Sequence, residues 1–396
     1  MRRAVGWLAS AVLCACVAAC SSEERPPGTP DSPSSGGAGA GDATAMLDVQ
    51  LPDGPPAPDA SGYCGNQFFQ VVQDPPNVYF VLDRSGSMSD RDPSTHKSKY
   101  AAVRAACVAL VKQLGSRANI GAAVFPGSPR TNECGAGREV FPTRPGDPPS
   151  VPQPGPITYA FTTAINVEPL GGTPVAATLE KLYPTLVALE GKTAVILATD
   201  GGPNCNGAVA CAHGDCIWNI ERASLFGELC NATRNCCDVD VVPSGPGNYG
   251  CLDSSATVSA VQKLRDAGIR TYVLGIPGSD FYAALLELLA TVGGSAPPTA
   301  PAYYKVDDLR DLEAVLNRIG QRALLTCDFV LDDAPPDKGF VNVYLDTDLL
   351  PYGANDGWTW TSDTTLSLHG DACKRLEDGQ VGHVQVVAGC PTEQPL

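Results

Sequence analysis

Between residues 77 and 325, short apolar runs alternate with longer amphipathic ones, and no other pattern in the chain constrains its fold as strongly. Strand-like runs fall at 77–82, 119–125, 138–141, 193–199, 270–276 and 302–306. Helix-like runs fall at 97–114, 158–166, 174–189, 254–267, 280–292 and 307–324. Val78-Tyr79-Phe80-Val81-Leu82 is continuously apolar, where a strand with one solvated face would alternate. Such strands, separated by amphipathic helices, imply an α/β fold with a mostly parallel sheet covered on both faces. The run at 138–141 follows its predecessor without a clear helix, so it is expected to be an antiparallel edge strand.

The 396 residues are 43% hydrophobic and 18% charged, enough for one sizeable core and an accessory unit. A net charge of −16 argues against nucleic acid as a partner, because phosphate binding needs basic stripes. Met1-Arg2-Arg3 and the apolar stretch Ala4 to Ala19 read as an export signal, too short for a comfortable membrane span. Val17-Ala18-Ala19-Cys20 has the form of a lipobox, which makes Cys20 the lipidation site; an ordinary signal with small residues at its cut site is the alternative. Ser21 carries no inner-membrane retention signal, so the expected home is the cell envelope at the outer membrane, held through the lipid anchor only. Residues 21–62 are rich in Pro, Gly, Ser and Asp and read as a self-repelling tether.

Sixteen cysteines support an oxidising compartment. Cys14 and Cys16 leave with the signal and Cys20 takes lipid, so the folded part keeps an odd number and needs one free thiol. Cys107 is the residue expected to supply it, because it shares a helix face with Val103, Leu110, Val111 and Leu114.

Three strand ends and helix starts carry the chemistry. Asp83-Arg84-Ser85-Gly86-Ser87 follows the first apolar run, Gly171-Gly172-Thr173-Pro174 opens a helix, and Asp200-Gly201 follows Ala194 to Thr199. Each alone is ordinary turn or capping chemistry. In this order, at these places, they resemble the metal-ion-dependent adhesion site of the von Willebrand factor type A family. The resemblance covers about 250 residues of the chain and implies a Rossmann-like sheet of six strands. It also implies metal ligation through Asp83, Ser85, Ser87, Thr173 and Asp200, with the two aspartates acting mostly through bound water. All five offer oxygen and none offers sulfur or imidazole, so the expected cofactor is Mg²⁺, with Mn²⁺ or Ca²⁺ as alternatives. A serine nucleophile would need a base, and only His96 lies nearby in sequence. No dedicated base for metal-assisted hydrolysis is evident either, so no catalytic residue is assigned.

Residues 201–253 hold Cys205, Cys211, Cys216, Cys230, Cys236, Cys237 and Cys251. Disulfides are expected here; zinc is the alternative, although no pair has the two-residue gap of a zinc knuckle. Cys134, in a loop leaving the same end of the sheet, would complete these seven to four bridges whose connectivity stays open. Sheet geometry further suggests a Cys64–Cys327 clasp and a Cys373–Cys390 bridge. The bridged insert would form a wall beside the metal, making Trp218 and its polar neighbours candidates for ligand specificity or for a purely structural role.

The expected organisation is a signal peptide at 1–20, a tether at 21–62, a type A domain at 63–325 and a small C-terminal β-rich module at 326–396. In the module, Phe340 to Leu345, Gly357 to Thr361, Thr365 to Leu368 and His383 to Val387 alternate with period two. The expected function is binding of a protein or glycan ligand that offers a carboxylate to the metal. An envelope scaffold that works without metal, and a metal-dependent hydrolase, are the alternatives.

Overall fold

The computed structural model describes residues 65–392 apart from 66, 70, 73, 74, 94, 95, 326, 378, 379 and 382. The signal peptide, Cys20, the tether and Cys64 lie outside the described residues.

Two short strands come first, β1 (Gln67–Phe69) and β2 (Val71–Val72). Strands and helices then alternate: β3 (Asn77–Asp83), α1 (Lys99–Leu114), β4 (Asn119–Phe125), β5 (Arg138–Pro145), α2 (Pro156–Ala164), α3 (Val175–Val187) and β6 (Thr193–Thr199). The cysteine-rich segment contributes a single-turn helix, α4 (Ile217–Ile220), and the strand pair β7 (Ser224–Leu225) and β8 (Glu228–Leu229). Alternation resumes with α5 (Ser254–Asp266), β9 (Arg270–Gly275), α6 (Ala283–Val292), β10 (Tyr304–Lys305) and α7 (Leu312–Leu324). The remainder is β11 (Asp328–Leu331), β12 (Val341–Leu345), β13 (Asp348–Leu350), β14 (Gly357–Trp360), β15 (Thr365–His369), α8 (Gly370–Glu377) and β16 (Val384–Ala388).

The central sheet has the order β10-β9-β6-β3-β4-β5. Every pairing is parallel except β4–β5, which is antiparallel at the edge. Pro142 and Pro145 sit on that edge strand, where a missing N–H is tolerated. β3 lies inside the sheet and explains its own sequence. Val78, Phe80 and Leu82 enter one core with residues of α1, α2 and α7. Tyr79 and Val81 enter a second core with residues of α3, α5 and α6. All seven β3 residues are buried, and between Asn77 and Asp83 both side-chain registers are apolar.

Two further four-stranded sheets, β1-β16-β12-β13 and β14-β15-β11-β2, enclose a third core containing Phe69, Phe329, Val343, Trp358, Leu366 and Val386. This corrects the expected extent of the β module. β1 and β2, which precede the central sheet in sequence, pair antiparallel with β16 and β11 and complete the two sheets. Strands of three and two residues carry little sequence signal of their own.

The expected Cys64–Cys327 clasp and Cys373–Cys390 bridge are also corrected. Cys327 is bonded to Cys373. β11 pairs with β15, the Leu368 N–H donates to the Cys327 carbonyl at 2.7 Å, and α8 then brings Cys373 alongside. Cys390 is disulfide-bonded as well. Cys107 is a buried free thiol on the inner face of α1. Among the described residues no helix is long and apolar enough to cross a membrane.

Candidate functional site

The carboxyl ends of β3 and β6 lie side by side, and their terminal residues begin the site. Asp83 is fully buried. Its Oδ1 accepts a hydrogen bond from the Ser85 N–H at 2.7 Å, which turns the chain sharply after the strand. Its Oδ2 accepts one from the Thr199 hydroxyl at 2.6 Å, which ties β3 to β6. Ser85 Oγ and Ser87 Oγ lie 3.1 Å apart, and Ser87 Oγ donates to Asp200 Oδ1 at 2.8 Å. Arg84 points the other way. Its buried guanidinium donates to the carbonyls of Pro126, Gly127 and Glu168, fastening neighbouring loops to the end of the strand.

The third segment is tied to the first through the backbone, where the Gly86 N–H donates to the Gly171 carbonyl at 2.8 Å. Thr173 is buried, and its N–H donates to Asn204 Oδ1 at 2.8 Å. The structure therefore gathers Asp83, Ser85, Ser87 and Asp200 into one hydrogen-bonded chain, with the Thr173 loop held against it.

Burial drives the electrostatics. It raises the Asp83 carboxyl to about 7, with the nearby Asp200 charge as the second cause; hydrogen bonds from Thr199 and Ser85 pull in the opposite direction. Lys99 Nζ lies 2.7 Å from Asp200 Oδ2, where the aspartate side chain is wholly buried. Its distance to Asp90 Oδ2 is 3.8 Å. Glu221, just past α4 in the cysteine-rich insert, accepts a hydrogen bond from Tyr282 at 2.8 Å. Burial raises its carboxyl first, and the charges of Asp200 and Asp90 add to that while Tyr282 and Lys99 oppose it. The site thus concentrates carboxylates around one ammonium and is short of positive charge, the condition a cation relieves.

Sequence reasoning did not single out Lys99, Thr199, Asn204 or Glu221. Lys99 alone left a signal. It is the first residue of α1, where the helix dipole disfavours a cation, and the Ser98 side chain caps the same turn.

The insert is organised by Cys211–Cys251, Cys216–Cys237 and Cys230–Cys236, and it is joined to Cys134 through Cys205. The sulfurs of Cys211, Cys237 and Cys251 lie within 4.8 Å of one another, but all three are consumed in disulfides, so no thiolate is left for zinc. Trp218 packs against this disulfide cluster.

Six strands in this order, with an antiparallel edge and the motif loops gathered at the carboxyl ends of β3 and β6, define a von Willebrand factor type A-like fold. No protein-family model and no curated protein matches the chain. Similar solved structures include the pilus adhesin SpaC from Lactobacillus rhamnosus GG, at 17% identity and a TM-score of 0.43, covering 79% of this chain and 39% of that one. The vWF domain of the type V pili tip protein Mfa5 from Porphyromonas gingivalis is similar at 15% identity and a TM-score of 0.42, covering 63% of this chain and 95% of that one. The manganese-loaded TRAP protein of Plasmodium vivax is similar at 17% identity and a TM-score of 0.35, covering 61% of this chain and 72% of that one. The chain spans about two fifths of the SpaC chain.

Proposed function

We propose that Asp83, Ser85, Ser87, Thr173 and Asp200 hold a divalent cation, Mg²⁺ first and Mn²⁺ or Ca²⁺ as alternatives, and that this cation receives a carboxylate from a protein or glycan ligand. One observation carries the reading. Asp83 and Asp200 are both buried at this strand end, where the Thr199 hydroxyl donates to Asp83, the Ser87 hydroxyl donates to Asp200 and Ser85 Oγ lies 3.1 Å from Ser87 Oγ, and such oxygens suit a hard cation. The donor set fits. It presents two carboxylates and three hydroxyls at the carboxyl end of a parallel sheet, where open α/β folds bind ligands. Two carboxylates leave a dication with unspent charge, which a third carboxylate from outside would satisfy. No step of bond making is assigned to the site; its chemistry is recognition.

In this reading the protein is exported and lipid-anchored through Cys20, and the acidic tether holds the domain off the membrane of the cell envelope. A pull-down from envelope extract with and without Mg²⁺ tests the proposal. A partner retained only with Mg²⁺ and lost on chelation supports it. A partner that survives chelation favours the metal-independent scaffold.

A further inference from the structure

The loop carrying Thr173 runs between two segments from different insertions. On one side the Gly172 N–H donates to the Glu133 carbonyl at 2.9 Å. On the other, Thr173 N–H donates to Asn204 Oδ1 at 2.8 Å, and Asn204 N–H donates back to the Thr173 carbonyl at 3.0 Å. The residues next to Glu133 and Asn204 are Cys134 and Cys205, and they are bonded to each other across 71 positions of sequence. This bridge packs on the loop itself. A Cβ added at Gly172 would meet Cys205 Sγ at 2.5 Å and Cys134 Sγ at 3.4 Å, so glycine is required for the loop to lie this close. Cys205 also has φ of 76°, a left-handed conformation that a non-glycine residue keeps only when its surroundings impose it.

We propose that the Cys134–Cys205 disulfide is a positioning device for Thr173: it ties together the two segments that hydrogen-bond to the loop and holds the threonine against the Asp83-Ser85-Ser87 turn. The inference rests on the cation-site reading above. Because the Gly171 carbonyl accepts from the Gly86 N–H, the clamp sets the spacing between the two ligand loops, and through it the affinity for a cation. Neither cysteine belongs to the two cores that flank the central sheet, so loss of the bridge loosens the site before it loosens the fold.

The experiment compares the oxidised, exported protein with the C134S/C205S variant and with C230S/C236S, which removes a bridge within the insert. Site-resolved hydrogen exchange is read at the Gly172 and Thr173 amides in chelator, and Mn²⁺ affinity is read by calorimetry. C134S/C205S is expected to speed exchange at these two amides at least about tenfold. It is also expected to weaken Mn²⁺ binding about tenfold to a hundredfold while thermal unfolding stays cooperative. C230S/C236S should leave both unchanged. Should C134S/C205S fail to fold, Gly172→Ala keeps the bond but displaces Cys205, and it should weaken Mn²⁺ binding in the same range. Wild-type exchange and affinity in a folded C134S/C205S protein, or in Gly172→Ala, would overturn the proposal. A wild-type protein that binds no Mn²⁺ would instead overturn the cation reading, and the exchange data would still decide whether the bridge positions Thr173.

Discussion

Lys99 Nζ and Asp200 Oδ2 lie 2.7 Å apart at the carboxyl end of the sheet, a lysine side chain with 16% exposure against a fully buried aspartate. The ammonium occupies the neighbourhood in which a divalent cation would be held, and it neutralises one of the two buried carboxylates there. Replacing Lys99 with Met leaves Asp200 buried without its counter-charge. In chelator the expected loss of stability is on the order of 3 kcal/mol, and adding Asp200→Asn should recover most of it. Denaturant unfolding of the single and double variants with EDTA present checks both. The Lys99→Met protein should also bind Mn²⁺ more tightly than wild type, because a like charge has left the site.

Asp83 gives the ion-free protein a definite pH dependence. Its carboxyl titrates near 3.8 when unperturbed and at about 7 when folded, raised by burial first and by Asp200 second. Between those values the folded state holds a proton that the unfolded chain has lost. The stability contributed by this proton is complete below the unfolded value and disappears as pH rises through the folded one. In EDTA, the unfolding midpoint should therefore fall as pH is raised from about 5 to about 8, and Asp83→Asn should flatten that slope. Cation affinity should rise over the same window, since the cation binds the carboxylate and not the acid.

The alternation of strands and helices was readable because β3 and β6 are buried on both faces and so show continuous apolar runs. Helix starts were less legible where a 3-10 turn intervenes. The run expected from 307 becomes α-helical only at Leu312, after a turn over Leu309–Asp311 that the Asp308 side chain caps. The expected helix from 280 likewise begins at Ala283, behind a turn over Ser279–Tyr282. β1 and β2 escaped because their partners, β16 and β11, lie more than 250 residues away. Asp83, Ser85, Ser87 and Asp200 announced themselves by following apolar strands. Asn204 and the Cys134–Cys205 pairing did not, because nothing local records which loop an insertion folds back onto.

The Cys327–Cys373 bridge closes 46 positions of chain in the β module. Chain entropy alone assigns such a loop about 4 kcal/mol. C327S/C373S should lower stability by that order in urea unfolding and leave Mn²⁺ affinity unchanged. Peptide mapping without reduction should recover Cys327 linked to Cys373.

Cys107 should be silent until the domain opens. Burial on the inner face of α1 pushes its thiol far above the ordinary range, and thiolate is the reactive form. Iodoacetamide should leave the Cys107 peptide unlabelled in the native protein and label it in denaturant without reductant.

Calorimetric titration of Mg²⁺ and Mn²⁺ into the chelator-stripped wild type, Asp83→Ala and Thr173→Ala tests the cation site most directly. The account predicts one ion bound per wild-type chain, and loss of binding in both variants with their circular dichroism unchanged. Equal affinity in wild type and variants, or no binding by wild type, would contradict it.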